Sequence, residues 1–343
     1  MDISSIPFLA TAIALVISWA MFAILCSLFQ EGIAQVIADR GRFMKKYLLA
    51  QLQDLSNGIN WGSMFYLHGT IDLLSRKINK PTSDISPELF AKTIIEVVGS
   101  AHAVQIRIPE LKDGPREFID DENTYKHSAL YNYKAATQLL KPSDVVGFFS
   151  QALKDAELKA AGADEATVYN HLTENLTKWF TEFTERLQLW YKKKIRMRLF
   201  IIGILLGVLL NIDSLQLFNF YEQNPESRTT VIRYYESHAK QLTDLVNSLD
   251  SNHASQIKAD SIIKTAKAFL DSADKLKIAA SLPVGFENSI FKKQLGDLPG
   301  AAKHKLFYLW LLKILGILVS GFAASFGAPF WFDLLRKAYT QKA

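Results

Sequence analysis

Two charged side chains stand inside apolar runs, where an isolated charge is costly. Asp213 interrupts "LLGVLLNIDSLQLF" at 205–218, with Asn211 and Ser214 beside it, and Lys313 interrupts "LFYLWLLKILGILVSG" at 306–321. One such charge at a bilayer centre costs on the order of 2.5 to 3.5 kcal/mol, and less near an interface, so these residues usually turn inward and pair. Three outcomes are open to this couple. It can form a carboxylate–ammonium pair that fixes helix packing, with Asn211 and Ser214 as hydrogen-bond supports. It can line a hydrated polar path, or each group can snorkel separately to the surface.

Other chemistry is thinly signalled. The seven histidines show no H-E-x-x-H spacing, and the single cysteine, Cys26, lies in an apolar run and can form no internal disulfide or zinc framework. His68 and Asp72 stand four apart and can share a helix face, a spacing that reads first as a surface contact. There is no G-x-S-x-G elbow, P-loop or dinucleotide fingerprint. The expectation is therefore a protein that is not an enzyme, with no catalytic, metal or cofactor site. Gly203 and Gly207 form a GxxxG, which allows another helix to approach closely.

The elements that must position the pair are three apolar blocks long enough to cross a bilayer, for which about 20 residues suffice. They run 7–29, 199–218 and 306–332. The first carries no charge and follows "MDISSI", which has an acid where a signal peptide has lysine or arginine, so it reads as an uncleaved anchor. With the second block entered at Leu199 and the third at Leu306, Asp213 and Lys313 fall roughly 7 to 10 Å from the same membrane edge at about 1.5 Å per residue. The fold class expected is an all-α integral membrane protein. Three transmembrane helices join a helical cytoplasmic domain at 30–198 to a smaller extracytoplasmic helical hairpin at 219–305. A short outer N-terminus, 1–6, and a basic cytoplasmic tail, 333–343, complete the chain.

Lysine and arginine set the threading. Both flanks of 30–198 are basic, with Arg40, Arg42, Lys45 and Lys46 at one end and Lys192, Lys193, Lys194, Arg196 and Arg198 at the other. Glu222 and Glu226 follow the second block, and the tail carries Arg336, Lys337 and Lys342. Both termini are thereby assigned, the N-terminus outside and the C-terminus in the cytoplasm. Within 30–198, Ile33, Ile37, Met44, Tyr47, Leu48, Leu52 and Leu55 keep helical spacing, which predicts that the first helix runs on beyond the membrane. Ser86 and Ser143 read as N-caps of further helices, the second stopping near Gly162, and 106–127 reads as a polar loop. No strand pattern is long enough to build a sheet. Outside, 227–248 and 261–282 suggest two antiparallel helices, with "LPVGF" as a turn.

Trp179, Phe183, Leu187 and Trp190 line one helical face, and Trp190 and Tyr191 then meet the five positive charges at 192–198. Trp331 stands in "GAPFWFDLLRK" beside Arg336 and Lys337 and reads the same way. Rings at headgroup level with lysines against anionic lipid make an interfacial anchor at the cytoplasmic face. Two segments at one interface are expected to pack together. The net charge of +5 is spread along these block ends and forms no independent patch, which argues against nucleic-acid binding.

The succession "WF..F..R...WYKKK", "LFIIGILLGVLLNIDSL", "LPVGF" and "GAPFWFDLLRK" resembles a family of bacterial membrane proteins of unassigned function. That family has a WF…R…WYKR segment, an N-x-D-S span and a terminal GAPFWFDLL. "HGTIDLL" and "KPTSDISPELFA" resemble two of its cytoplasmic segments, with Gly69 and Asp84 where the family has proline and tyrosine. The resemblance implies a bacterial inner-membrane protein and supplies no reaction. Together these readings predict a structural or scaffolding subunit in contact with the lipid bilayer, recruiting protein partners or further copies through its soluble helices. The alternative is an oligomeric channel or transporter component with Asp213 and Lys313 near its polar path.

Overall fold

The computed structural model describes residues 7–75, 80–103, 127–249, 259–286 and 303–340. Helix dominates, and the chain divides into two compact units, Ile37–Tyr191 and the combination of Met1–Val36 with Lys192–Ala343.

The Ile37–Tyr191 unit contains α2 (Asp39–Gln51), α3 (Trp61–Leu67), α4 (Gly69–Asp72), α5 (Pro87–Ala103), α6 (Ala129–Leu139), α7 (Asp144–Ala160) and the first part of α8 (Glu165–Leu209). Ser86 and Ser143 cap α5 and α7, their hydroxyls accepting from Leu89 N and Val146 N at 3.2 and 3.1 Å. Helix α7 stops at Ala161, whose φ of 50° cannot continue a right-handed helix. Aromatic rings fill the core: Phe90 stacks on Phe180 with centroids 4.1 Å apart, and Trp61, Phe65 and Phe149 are fully buried.

A short antiparallel ladder, β1 (Gln53–Asp54) with β2 (Ile59–Asn60), stands where no sheet is expected. Its turn is held by side chains. The buried Asp54 carboxylate accepts from Asn57 Nδ2 and Trp61 Nε1, and Asn57 also bonds the main-chain N–H and C=O of Lys141. Most of the expected polar loop at 106–127 lies outside the described residues.

The second unit is built around α1 (Pro7–Val36). Packed on it are α9 (Ser214–Gln223), α10 (Pro225–Leu249), α11 (Ala259–Ala279), α12 (Lys303–Ser325) and α13 (Ala328–Thr340). Ala14, Ile17, Ala23, Ile24 and Cys26 have no exposed surface, so most of α1 is core. Among the described residues, α1 and Lys305–Ser325 are each long and apolar enough to cross a membrane. A third crossing requires α8 and α9 together, which meet at 60°.

The structure differs from the sequence reading at four further places. Helix α1 ends at Val36, because Ala38 adopts φ 48°, and α2 starts afresh at Asp39. The block at 199–218 is two helices, α8 and α9. The block at 306–332 is also two, since Phe326 and Gly327, the latter at φ 78°, turn the chain from α12 into α13. Finally, α10 and α11 do not stand apart as a separate hairpin domain. Val231, Tyr235, Leu242 and Val246 of α10 and Phe269 and Leu276 of α11 share one core with Ile13 to Leu28 of α1. Each of these two helices carries an apolar stripe that has to be buried, and α1 supplies the apolar surface.

This packing leaves the second unit with unlike surfaces. Helices α8 and α12 expose Ile201, Leu205 and Val208, and Ile314, Leu315, Leu318 and Phe322. The outward faces of α10 and α11 carry Arg233, Glu236, Lys240, Asp271 and Lys275.

Candidate functional site

The site is the break between α8 and α9. Helix α8 closes with Asn211 in the left-handed region at φ 52°, while Ile212 N donates to Gly207 O at 2.8 Å and Asn211 N to Val208 O at 3.3 Å. This is a Schellman closure with asparagine in the place glycine usually takes. Two residues later the chain is extended, and Asp213 caps α9: its Oδ1 accepts from Leu215 N at 3.0 Å and Gln216 N at 3.1 Å. Asp213 is thus a helix start, which answers why a carboxylate stands in so apolar a run. The new helix has unsatisfied N–H groups and a positive dipole end, and the carboxylate meets both.

Its second oxygen is also engaged. Lys313 Nζ lies 3.3 Å from Asp213 Oδ2, with both side chains under a tenth exposed, and donates to Gln216 Oε1 at 3.4 Å. Asn211 and Ser214 do not join this pair, contrary to the supporting role the sequence suggests for them. Asn211 Nδ2 donates to Gly285 O at 2.7 Å, and Gly285 N donates to Leu210 O at 2.9 Å, so the "LPVGF" turn ties to the break. Ser214 faces Ser320 of α12, with hydroxyls 2.8 Å apart and Ser214 N donating to Ser320 Oγ at 3.1 Å. Trp19 of α1 donates its Nε1 proton to Ser214 Oγ at 2.8 Å. Two turns further along α9, Tyr221 meets Ser18 at 2.7 Å, and Arg228 of α10 donates to Thr11 Oγ1 at 3.2 Å.

Close backbone approach makes this possible. A Cβ on Gly316 would sit 1.8 Å from Asp213 Oδ1, so a side chain there and the carboxylate exclude each other. The GxxxG at Gly203 and Gly207 faces the same helix. A Cβ on Gly203 would lie 2.9 Å from Gly321 Cα, and one on Gly207 would lie 3.3 Å from Ile317 Cγ2. The bare face of α8 therefore seats on α12.

This carboxylate meets two N–H groups and an ammonium, which suits a fixed electrostatic joint. Among the described residues no group of three or more His, Cys, Asp or Glu is arranged to hold a metal ion. His68 Nε2 lies 3.2 Å from Glu96 Oε2.

The aromatic anchor divides in two. Trp190 is half exposed and packs on Tyr47 at 5.2 Å, Tyr191 is buried against Phe43, and Lys192, Lys193 and Arg196 are exposed. Lys194 and Arg198 are partly covered. Trp331 is 6 % exposed, 5.0 Å from Trp19, and donates to Ala323 O at 2.8 Å. It is a packing residue of the second unit and not an exposed interfacial ring. Within its own unit each tryptophan packs on a ring of another helix, Trp331 on Trp19 of α1 and Trp190 on Tyr47 of α2. Arg336 and Lys337 are exposed, and Arg336 pairs with Asp333 at 2.7 Å.

The sequence reading missed Trp19, Gln216, Gly285, Gly316 and Ser320. One signal was available: N-x-D is a helix stop at a C′ asparagine followed by an N-cap aspartate. The others are joined to the break only by tertiary packing. No family model, curated protein or solved structure matches the chain.

Proposed function

We propose that this protein is a structural subunit of a bacterial inner-membrane assembly. The exposed apolar faces of α8 and α12 meet lipid, the charged faces of α10 and α11 meet water or protein, and the Ile37–Tyr191 unit recruits partners from the cytoplasm. The basic flanks of 30–198 support that side assignment, with the N-terminus outside and the C-terminus cytoplasmic. The exposed lysines at 192–193 suit anionic headgroups.

The observation that carries this reading is the closure of the polar break. Asp213 and Lys313 satisfy each other and the start of α9 in one buried contact, so the charges act to register α8, α9 and α12 against one another. A second reading is an oligomeric channel or transporter component with Asp213 and Lys313 near its polar path. Retrieval of the full chain in mild detergent, with its partners identified by mass spectrometry, tests the first reading. Reproducible copurifying proteins lost on mutation of the Ile37–Tyr191 surface support it. A conductance in planar bilayers that Asp213→Asn alters would favour the second.

A further inference from the structure

A cleft of about 240 Å³ lies between α1, the helix break and the last turns of α11. Met21, Phe22, Leu25, Leu210, Phe269 and Leu282 line it. Ser18, a polar group on its inner wall, already bonds Tyr221 and Ala14 O. The cleft reaches the surface at Leu209, which is 66 % exposed and continues onto Leu205 and Val208. Asp274 and Lys277, one turn apart on α11, border it, and a Cβ on Gly285 would come 3.1 Å from Lys277 Nζ. The ammonium therefore rests on the glycine turn at the cleft's edge.

We infer that this cleft holds one acyl chain of a zwitterionic phospholipid, with the headgroup phosphate on Lys277 and its ammonium on Asp274. A cleft of this volume takes part of one acyl chain, the rest of which lies along the exposed apolar face of α8. The opening joins the apolar face of α8, so a chain enters sideways from the bilayer. Residues at i and i+3 on a helix are neighbours, which places the two opposite charges side by side for a headgroup carrying both signs. The inference rests on the membrane reading of α8 and α12 made above.

The test reconstitutes the full chain in lipid nanodiscs containing phosphatidylethanolamine with a photoactivatable acyl chain, and maps adducts by peptide mass spectrometry. Parallel samples carry the same chain on phosphatidylglycerol or as the free fatty acid. Adducts concentrated at 18–25 and 269–284 with the ethanolamine lipid are expected. They should fall about tenfold in Ala273→Phe, which fills the cleft, while adducts on Ile314, Leu315 and Leu318 stay unchanged. Lys277→Gln, on a partly exposed side chain, should lower the same adducts several-fold without moving the unfolding temperature, and so serves if the filled variant misfolds. Equal labelling by all three probes, or labelling by the fatty acid alone, overturns the headgroup assignment. Adducts spread evenly over α8 and α12 with none enriched at the cleft overturn the site while leaving the membrane reading intact. Absence of adducts on those outer faces as well would mark failure of the membrane reading itself.

Discussion

Asp213 Oδ1 occupies the space that a side chain on Gly316 would need, at 1.8 Å from where its Cβ would stand. The same oxygen accepts the first two free N–H groups of α9. A residue of α12 without a side chain thus determines whether α9 can start where it does, and the joint between these helices depends on a pair 103 positions apart in the chain.

Gly316→Ala should therefore be among the most damaging single-methyl additions in the second unit. Overpacking typically costs 1 to 3 kcal/mol, and displacing the cap adds about 1 more. Thermal unfolding of the detergent-solubilised protein checks this. An unchanged midpoint would mean that the carboxylate lies elsewhere.

Gly203→Leu should separate α8 from α12, because its Cβ alone would already press on Gly321 Cα at 2.9 Å. Gly32→Leu, at a position on α1 with nothing within 4 Å of an added Cβ, serves as the control. Protease resistance of the second unit should fall in the first variant and hold in the second.

Cysteines placed at Glu236 and Asp271 should react with a membrane-impermeant maleimide in nanodiscs, and cysteines at Ile17 and Ile24 should not. The first two lie on exposed faces of α10 and α11, and the others have no exposed surface in α1. Rapid labelling at Ile17 would show that the two helices do not cover α1.

In the Ile37–Tyr191 unit, Phe180→Ala should cost about 3 to 5 kcal/mol, the usual range for truncating a buried aromatic. Phe180 is fully buried against Phe90. The adjacent Lys178→Ala, on the solvent side of the same helix, should change stability by no more than about 0.5 kcal/mol. Chemical denaturation followed by tryptophan fluorescence distinguishes the two.

Helices were legible where the signal is local. Ser86 and Ser143 announced their helices through capping, and the apolar run at 7–29 announced α1. Period and hydropathy carry no record of which helix a residue meets, so the place of α10 and α11 along α1 was not legible. An apolar stripe says only that something covers it. Asp213 shows the same limit. Its charge flagged a partner, and Lys313 at similar depth was the available cation, but its second role as a cap was hidden by reading 199–218 as one helix. The burial of Trp331 was not legible, because an aromatic beside arginine and lysine looks alike in sequence whether it faces headgroups or Trp19.

The most direct test of the central claim is a double-mutant cycle between Asp213 and Lys313. Exchanging the two charges would remove the cap along with the pair, so the suitable variants are Asp213→Asn, since asparagine also caps helices well, and Lys313→Met, which keeps the length of the stem. Breaking a buried pair from the lysine side should cost about 3 to 5 kcal/mol. The double variant, with neither charge left, should lose about 1 to 3 kcal/mol less than the sum of the singles. Additivity to within about 0.5 kcal/mol would contradict a closed joint at this break.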